Sequence, residues 1–120
     1  MPNALVTGAS RGLGKALAQE LGARGWQLIV DARNGDLLQD AAKGFGSTRK
    51  VRALAGNVGD PTHRHELAQA ARGMGGLDLL VNNASTLGPV PRPRLASYPL
   101  DELEDVIRIN TIAPLGLIQA

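Results

Sequence analysis

Thr7-Gly8-Ala9-Ser10-Arg11-Gly12-Leu13-Gly14 stands between a short apolar run, Ala4-Leu5-Val6, and a stretch of helical spacing that opens at Gly12. A chain that leaves a strand and turns at once into a helix needs a residue without Cβ at the sharp turn. It needs a second where a ligand comes up against the backbone, and a third where helix packs closely on strand. Gly8, Gly12 and Gly14 are spaced to meet these needs. The helix then offers unpaired N–H groups and the positive end of its dipole, a combination that favours phosphate groups. In a chain with 15 glycines a purely structural turn is the competing explanation. The position between strand and helix favours the binding role.

Outward from this turn, strands and helices alternate. Leu13, Leu17 and Leu21 fall four apart, as on one face of a helix that Gly22 and Gly25 end near Arg24. Trp26 to Ala32 is predicted as the second strand, and a weaker helix follows over about Asp36 to Lys43. Val51 to Ala55 is the third strand. Asp60-Pro61 starts the next helix, with an acid at the N-cap and Pro at the first helical position. Leu77 to Val81 is the fourth strand, closed by Asn82-Asn83; a Pro-rich loop over Gly88 to Pro99 leads to a last helix opening near Asp101. Unbroken apolar strands alternating with helices imply a parallel sheet covered on both faces. The expected class is α/β, a Rossmann-like doubly wound sheet in three α/β/α layers, as one domain over residues 1–120 without an internal boundary.

Bulk properties narrow the function. The chain has 120 residues, 43% of them hydrophobic and 20% charged, with a net charge of +2. Its basic residues are scattered, which argues against nucleic acid or an anionic membrane as partner. The absence of Cys excludes disulfides, thiolate catalysis and thiolate metal sites and is compatible with a reducing cytoplasm, the expected location. The N-terminus reads as a first strand, not as a signal peptide.

The spacing Thr-Gly-x-x-x-Gly-x-Gly over Thr7 to Gly14 resembles the N-terminal signature of the short-chain dehydrogenase/reductase family. The resemblance implies that Gly8, Ser10, Gly12, Leu13 and Gly14 line the phosphates of a nicotinamide dinucleotide. Asn82-Asn83-Ala84-Ser85 is similar to the family's Asn-Asn-Ala-Gly, with Ser85 in place of Gly. It implies that Asn83, Ala84 and Ser85 support the sheet and touch the adenosine half. Gly56-Asn57-Val58 lies where the family has Asp-Val beside the adenine, so Asn57 and Val58 join the expected site. In the last helix, Leu103, Ile107 and Asn110 fall on one apolar stripe, where an amide would need partners, and Pro114 would free a carbonyl of the ladder. By resemblance Asn110 is the catalytic Asn that holds a water in a proton relay.

Cofactor choice turns on the end of the second strand, Val30-Asp31-Ala32-Arg33-Asn34. In dinucleotide folds an acid there accepts from the ribose hydroxyls of NAD, whereas an Arg pairs with the 2′-phosphate of NADP. By alignment with the family the acid's place falls to Ala32, while Asp31 points to the opposite side of the strand. Arg33 takes the place of the phosphate-binding Arg, and Arg11 adds a second cation. NADP is therefore expected over NAD.

His63-x-His65-Glu66 places its imidazoles on different helix faces, which favours a solvated face over a metal site. Pro89 to Arg94 could be a polyproline ligand but more resembles a variable loop beside an active site. The family's Ser and Tyr-x-x-x-Lys have no counterpart, since Tyr98 is followed by Pro99-Leu100-Asp101-Glu102. The resemblance covers the whole chain but about half of a family member. The expectation is thus the cofactor-binding front part of an NADP-dependent oxidoreductase acting on a small carbonyl or alcohol, truncated after the fourth strand and its helix and inactive alone. The full-length enzyme is expected to be a homo-oligomer. The alternative is a non-catalytic nucleotide-binding or interaction module. The gene beyond Ala120 separates the two, as a downstream Ser and Tyr-x-x-x-Lys would support the enzyme.

Overall fold

The computed structural model describes residues 2–120; Met1, the first residue of the expected domain, lies outside them. Asn3–Val6 (β1), Gln27–Ala32 (β2), Val51–Ala55 (β3) and Leu79–Val81 (β4) form one sheet in the order β3-β2-β1-β4. All three pairings are parallel, with Ala4 opposite Leu28 and Leu5 opposite Leu80. The helices are Gly12–Ala23 (α1), Gly35–Ala42 (α2), Pro61–Gly73 (α3), Leu100–Ile107 (α4) and Ala113–Gln119 (α5).

The alternation of side chains along a strand divides the core into two layers. Ala4, Val6, Leu28 and Val30 face one side and pack with Ala18, Leu38 and Phe45. Leu5 and Ile29 face the other and pack with Leu67, Ala70, Ile109 and Ala113. Helices α1 and α2 thus cover one face and α3 and α5 the other, which is the doubly wound α/β sheet expected from the unbroken apolar strands. β1 and the core of β2 are buried because they are sandwiched between both layers.

Three expectations need correction. The Leu13–Leu17–Leu21 stripe is not the buried face of α1: Leu13 is 67% exposed, and the buried positions are Gly14 and Ala18. The helix sits closest to the sheet through Gly14 and Ala18, with Leu21 packed, partly buried, against the same core layer. β4 is shorter than predicted and begins at Leu79. Asp78 instead closes the start of β1, its carboxylate accepting from the Asn3 amide at 2.8 Å. The last helix is not one continuous α-helix. The segment Arg108–Ile112 is a widened π turn, with Ala113 N–H donating to the Arg108 carbonyl five residues back. Pro114 has no N–H for the Asn110 carbonyl, so the α ladder fails where the sequence indicated. The extra residue in the turn re-phases the helix, leaving Ile109 buried and Asn110 exposed.

Candidate functional site

The glycine turn leaves β1 at its C-terminal end and leads straight into α1. Gly8 and Gly12 have φ of 65° and 60°, a region that disfavours any residue with a Cβ. Around Gly12 a Cβ would meet nothing within 4 Å, so this backbone faces open space. At Gly14 a Cβ would run into the Gly8 carbonyl and the Asn83 amide. The three glycines thus serve turn, open approach and close packing, as their spacing implied.

The turn is clamped from the neighbouring strand end. Thr7 Oγ1 accepts from the Asn83 and Ala84 amides, each at 3.0 Å. Asn83 Nδ2 donates to the Gly8 carbonyl at 3.1 Å. The N-terminus of α1 itself is unpartnered by side chains: Arg11 at the N-cap makes no capping bond, and the first turn holds no acid. The next two helices differ, Asn34 capping α2 and Asp60 capping α3 through their side chains. The first turn of α1 therefore has N–H groups that no capping side chain takes up.

A cleft of about 550 Å³ opens in front of this turn. Of the expected site residues, Gly8, Ser10, Arg11, Gly12, Arg33 and Asn57 line it, as do Val58, Asn83, Ala84 and Ser85. Leu13 and Gly14 do not: Leu13 projects into solvent and Gly14 is buried in the packing of α1. Val58 is buried in the second core layer, so the cleft meets only the edge of this residue. Asn57 Oδ1 accepts from the Gly59 amide at 2.8 Å, closing the local turn after β3. Ser85 is exposed on the cleft wall.

Asn110 stands apart from the cleft lining. Its amide is not buried, in contrast to the stripe expectation, yet both its polar atoms are hydrogen-bonded. Oδ1 accepts from the Thr86 N–H at 2.8 Å and Nδ2 donates to the Thr86 carbonyl at 2.9 Å. Asn110 therefore fixes the segment leaving β4 against the π turn.

At the end of β2, Asp31 is buried and turned into the fold. Its Oδ1 accepts from the Gly8 N–H at 2.9 Å, and its Oδ2 lies 2.8 Å from His63 Nε2. This corrects the reading of His63 as part of a solvated helix face: only His65 is exposed. Ala32 presents no polar group. Arg33 is exposed at the cleft, and the ion pairs among the described residues involve neither it nor Arg11.

Sequence reasoning missed Thr7, Thr86 and His63 as members of this assembly. Thr7 carried a signal, a hydroxyl directly before the turn with its acceptor lone pairs free for neighbouring amides. Thr86 meets Asn110 only through its backbone, its Oγ1 accepting instead from the Gly88 amide at 3.2 Å, and His63 finds Asp31 across 32 positions of sequence. Neither carries a local pattern. Among the described residues no group of three or more His, Asp or Glu side chains is arranged to hold a metal ion, and no helix is long and apolar enough to cross a membrane.

Comparison with known proteins places this geometry. A family model described as short chain dehydrogenase matches residues 2–120. 1-Deoxy-11-beta-hydroxypentalenate dehydrogenase of Streptomyces avermitilis is 36% identical over 119 residues, 98% of this chain and 44% of its own length. Very-long-chain 3-oxoacyl-CoA reductase of Yarrowia lipolytica is 30% identical over 120 residues, covering 97% of this chain and 31% of its own. Among solved structures, a metagenomic short-chain oxidoreductase in complex with NADP superposes with a TM-score of 0.88 at 30% identity, over 99% of this chain and 54% of that one. L-Sorbose reductase from Gluconobacter frateurii, complexed with NADPH and L-sorbose, gives a TM-score of 0.88 at 26% identity, over 98% of this chain and 45% of that one. The chain thus spans about half the length, or less, of the proteins it matches.

Proposed function

This chain belongs to the short-chain dehydrogenase family, and from that premise we propose that its cleft binds NADP in preference to NAD, as the cofactor-binding portion of a longer oxidoreductase. The residues fit such a ligand. The open backbone at Gly12 and the uncapped first turn of α1 suit a pyrophosphate. Arg33 and Arg11 stand at the cleft, their guanidiniums outside the ion pairs among the described residues, suiting a further phosphate. One observation carries the preference: both carboxylate oxygens of Asp31 are engaged inside the protein, so the strand end offers Arg33 rather than an acid. The two neighbours solved with NADP and NADPH support the same reading.

When bound, a nicotinamide supplies a hydride donor or acceptor for a carbonyl or alcohol substrate. This chain's own residues hold and orient the dinucleotide. Asn83 and Thr7 keep the turn in shape, and Asn57, Ala84 and Ser85 wall the cleft's other end. Asn110, fixed by its two bonds to Thr86, is the candidate for holding a water in the proton relay. The 120 residues carry one Tyr, Tyr98, without a Lys four positions on. Acid–base assistance commonly contributes about 10²–10⁴-fold in rate, so the chain alone is proposed to bind without appreciable turnover. The longer enzyme is proposed to act in the cytoplasm, with which the lack of Cys is compatible, as a homo-oligomer on a small-molecule substrate.

Titration with NADPH and NADH, followed by nucleotide fluorescence, tests the cofactor assignment. NADPH is expected to bind more tightly, and Arg33→Ala to weaken NADPH by about tenfold or more while leaving NADH nearly unchanged, as for loss of a charge-assisted hydrogen bond. Equal affinities that ignore the substitution would overturn the assignment.

A further inference from the structure

His63 and Asp31 form a buried polar pair that no binding role explains. Asp31 is 1% and His63 4% exposed. His63 stands in the first turns of α3 and places Nε2 on Asp31 Oδ2, while Asp31 Oδ1 accepts from the Gly8 amide. An ionised Asp31 can only accept, so the imidazole is then the donor at Nε2. The Ala9 amide also donates to the Asp31 carbonyl at 2.8 Å. One residue therefore holds two successive amides of the glycine turn and is itself held from α3. Room for the imidazole comes from Gly56 at the end of β3, where a Cβ would run into the His63 ring. Asp31 nevertheless borders the cleft, two positions from Arg33.

We propose that His63 is a specificity-determining positioning residue, keeping the Asp31 carboxylate turned into the fold and leaving the ribose end of the cleft to Arg33. This rests on the NADP reading of the cleft. A buried carboxylate oxygen without a partner is costly. Deprived of His63, Asp31 Oδ2 gains a partner by turning toward the cleft, where an acid accepts from a ribose 2′-hydroxyl and repels a 2′-phosphate. His63 thus acts on cofactor choice without touching the cofactor. Asp31→Asn preserves the link, because the amide oxygen can accept from Gly8 and the amide nitrogen can donate to the other histidine tautomer.

The test compares NADPH and NADH dissociation constants for the 120-residue chain and its His63→Leu, Gly56→Ala and Asp31→Asn variants, with folding checked by circular dichroism. His63→Leu and Gly56→Ala are expected to lower the preference for NADPH over NADH by about tenfold or more, and Asp31→Asn to leave it within about threefold. Gly56→Ala keeps the imidazole and displaces it, so it decides the matter where His63→Leu fails to fold. An unchanged preference in a folded variant, or equal weakening of both nucleotides, overturns the role of His63 while leaving the NADP assignment standing. A parent chain that binds neither nucleotide removes the cofactor reading and this role together.

Discussion

At the scale of single residues, Gly12 and Gly14 resist substitution for different reasons, and measurement separates them. Gly14→Ala drives a methyl into the Gly8 carbonyl and the Asn83 amide, both held by the fold. Overpacking of this kind costs about 1–3 kcal/mol, seen as a lower denaturant midpoint. Gly12→Ala meets open space, so its cost is that of a Cβ at φ 60°, about 1 kcal/mol. Its methyl stands where phosphates are proposed to approach, so NADPH affinity is expected to fall further than stability. A Gly12→Ala chain that binds NADPH like its parent would remove Gly12 from the phosphate site. These roles were legible in the spacing because they are local. The partner of Asp31 was not: the strand period showed that Asp31 points away from Ala32, but nothing near it in sequence names His63 as the group that receives it.

At the scale of elements, side-chain capping distinguishes the starts of α2 and α3 from that of α1. Asp60 accepts from the Thr62 amide at the start of α3, and Asp60→Ala is expected to cost about 1 kcal/mol in chemical denaturation. Arg11 occupies the same position of α1 without a capping bond, so Arg11→Ala should change stability by less than about 0.5 kcal/mol. A large loss for Arg11→Ala would mean that α1 depends on this side chain for its start. The Asp60-Pro61 start was readable because N-cap chemistry acts within three residues. The phase of the last helices was not, since a regular period was assumed across Arg108–Ile112. Pro114 marked the disturbance, but whether the ladder breaks, kinks or widens depends on how Ile109 and Ala113 fit the second core layer.

At the scale of the whole molecule, β4 is an edge strand, and Leu79 within it and Leu77 just before it are each 36% exposed. A cavity of about 450 Å³ nearby is lined by Leu5, Leu67, Leu80 and Leu117. Exposed apolar edges pair with other chains, so the 120-residue chain is expected to self-associate as its concentration rises. Leu79→Lys should shift sedimentation toward the monomer, and a parent that stays monomeric throughout would contradict the exposure of this edge. The other edge, β3, carries Arg52 toward solvent, a charge of the kind that guards edge strands. By itself the sequence determined the order of strands and helices, the parallel doubly wound sheet and the glycine turn, because each depends on periodicity or on contacts a few residues long. Only the tertiary structure decided which face of α1 is buried, that Asn110 clamps Thr86, and that Asp31 is held by His63. Those outcomes depend on distances between segments far apart in the chain, and no local pattern encodes them.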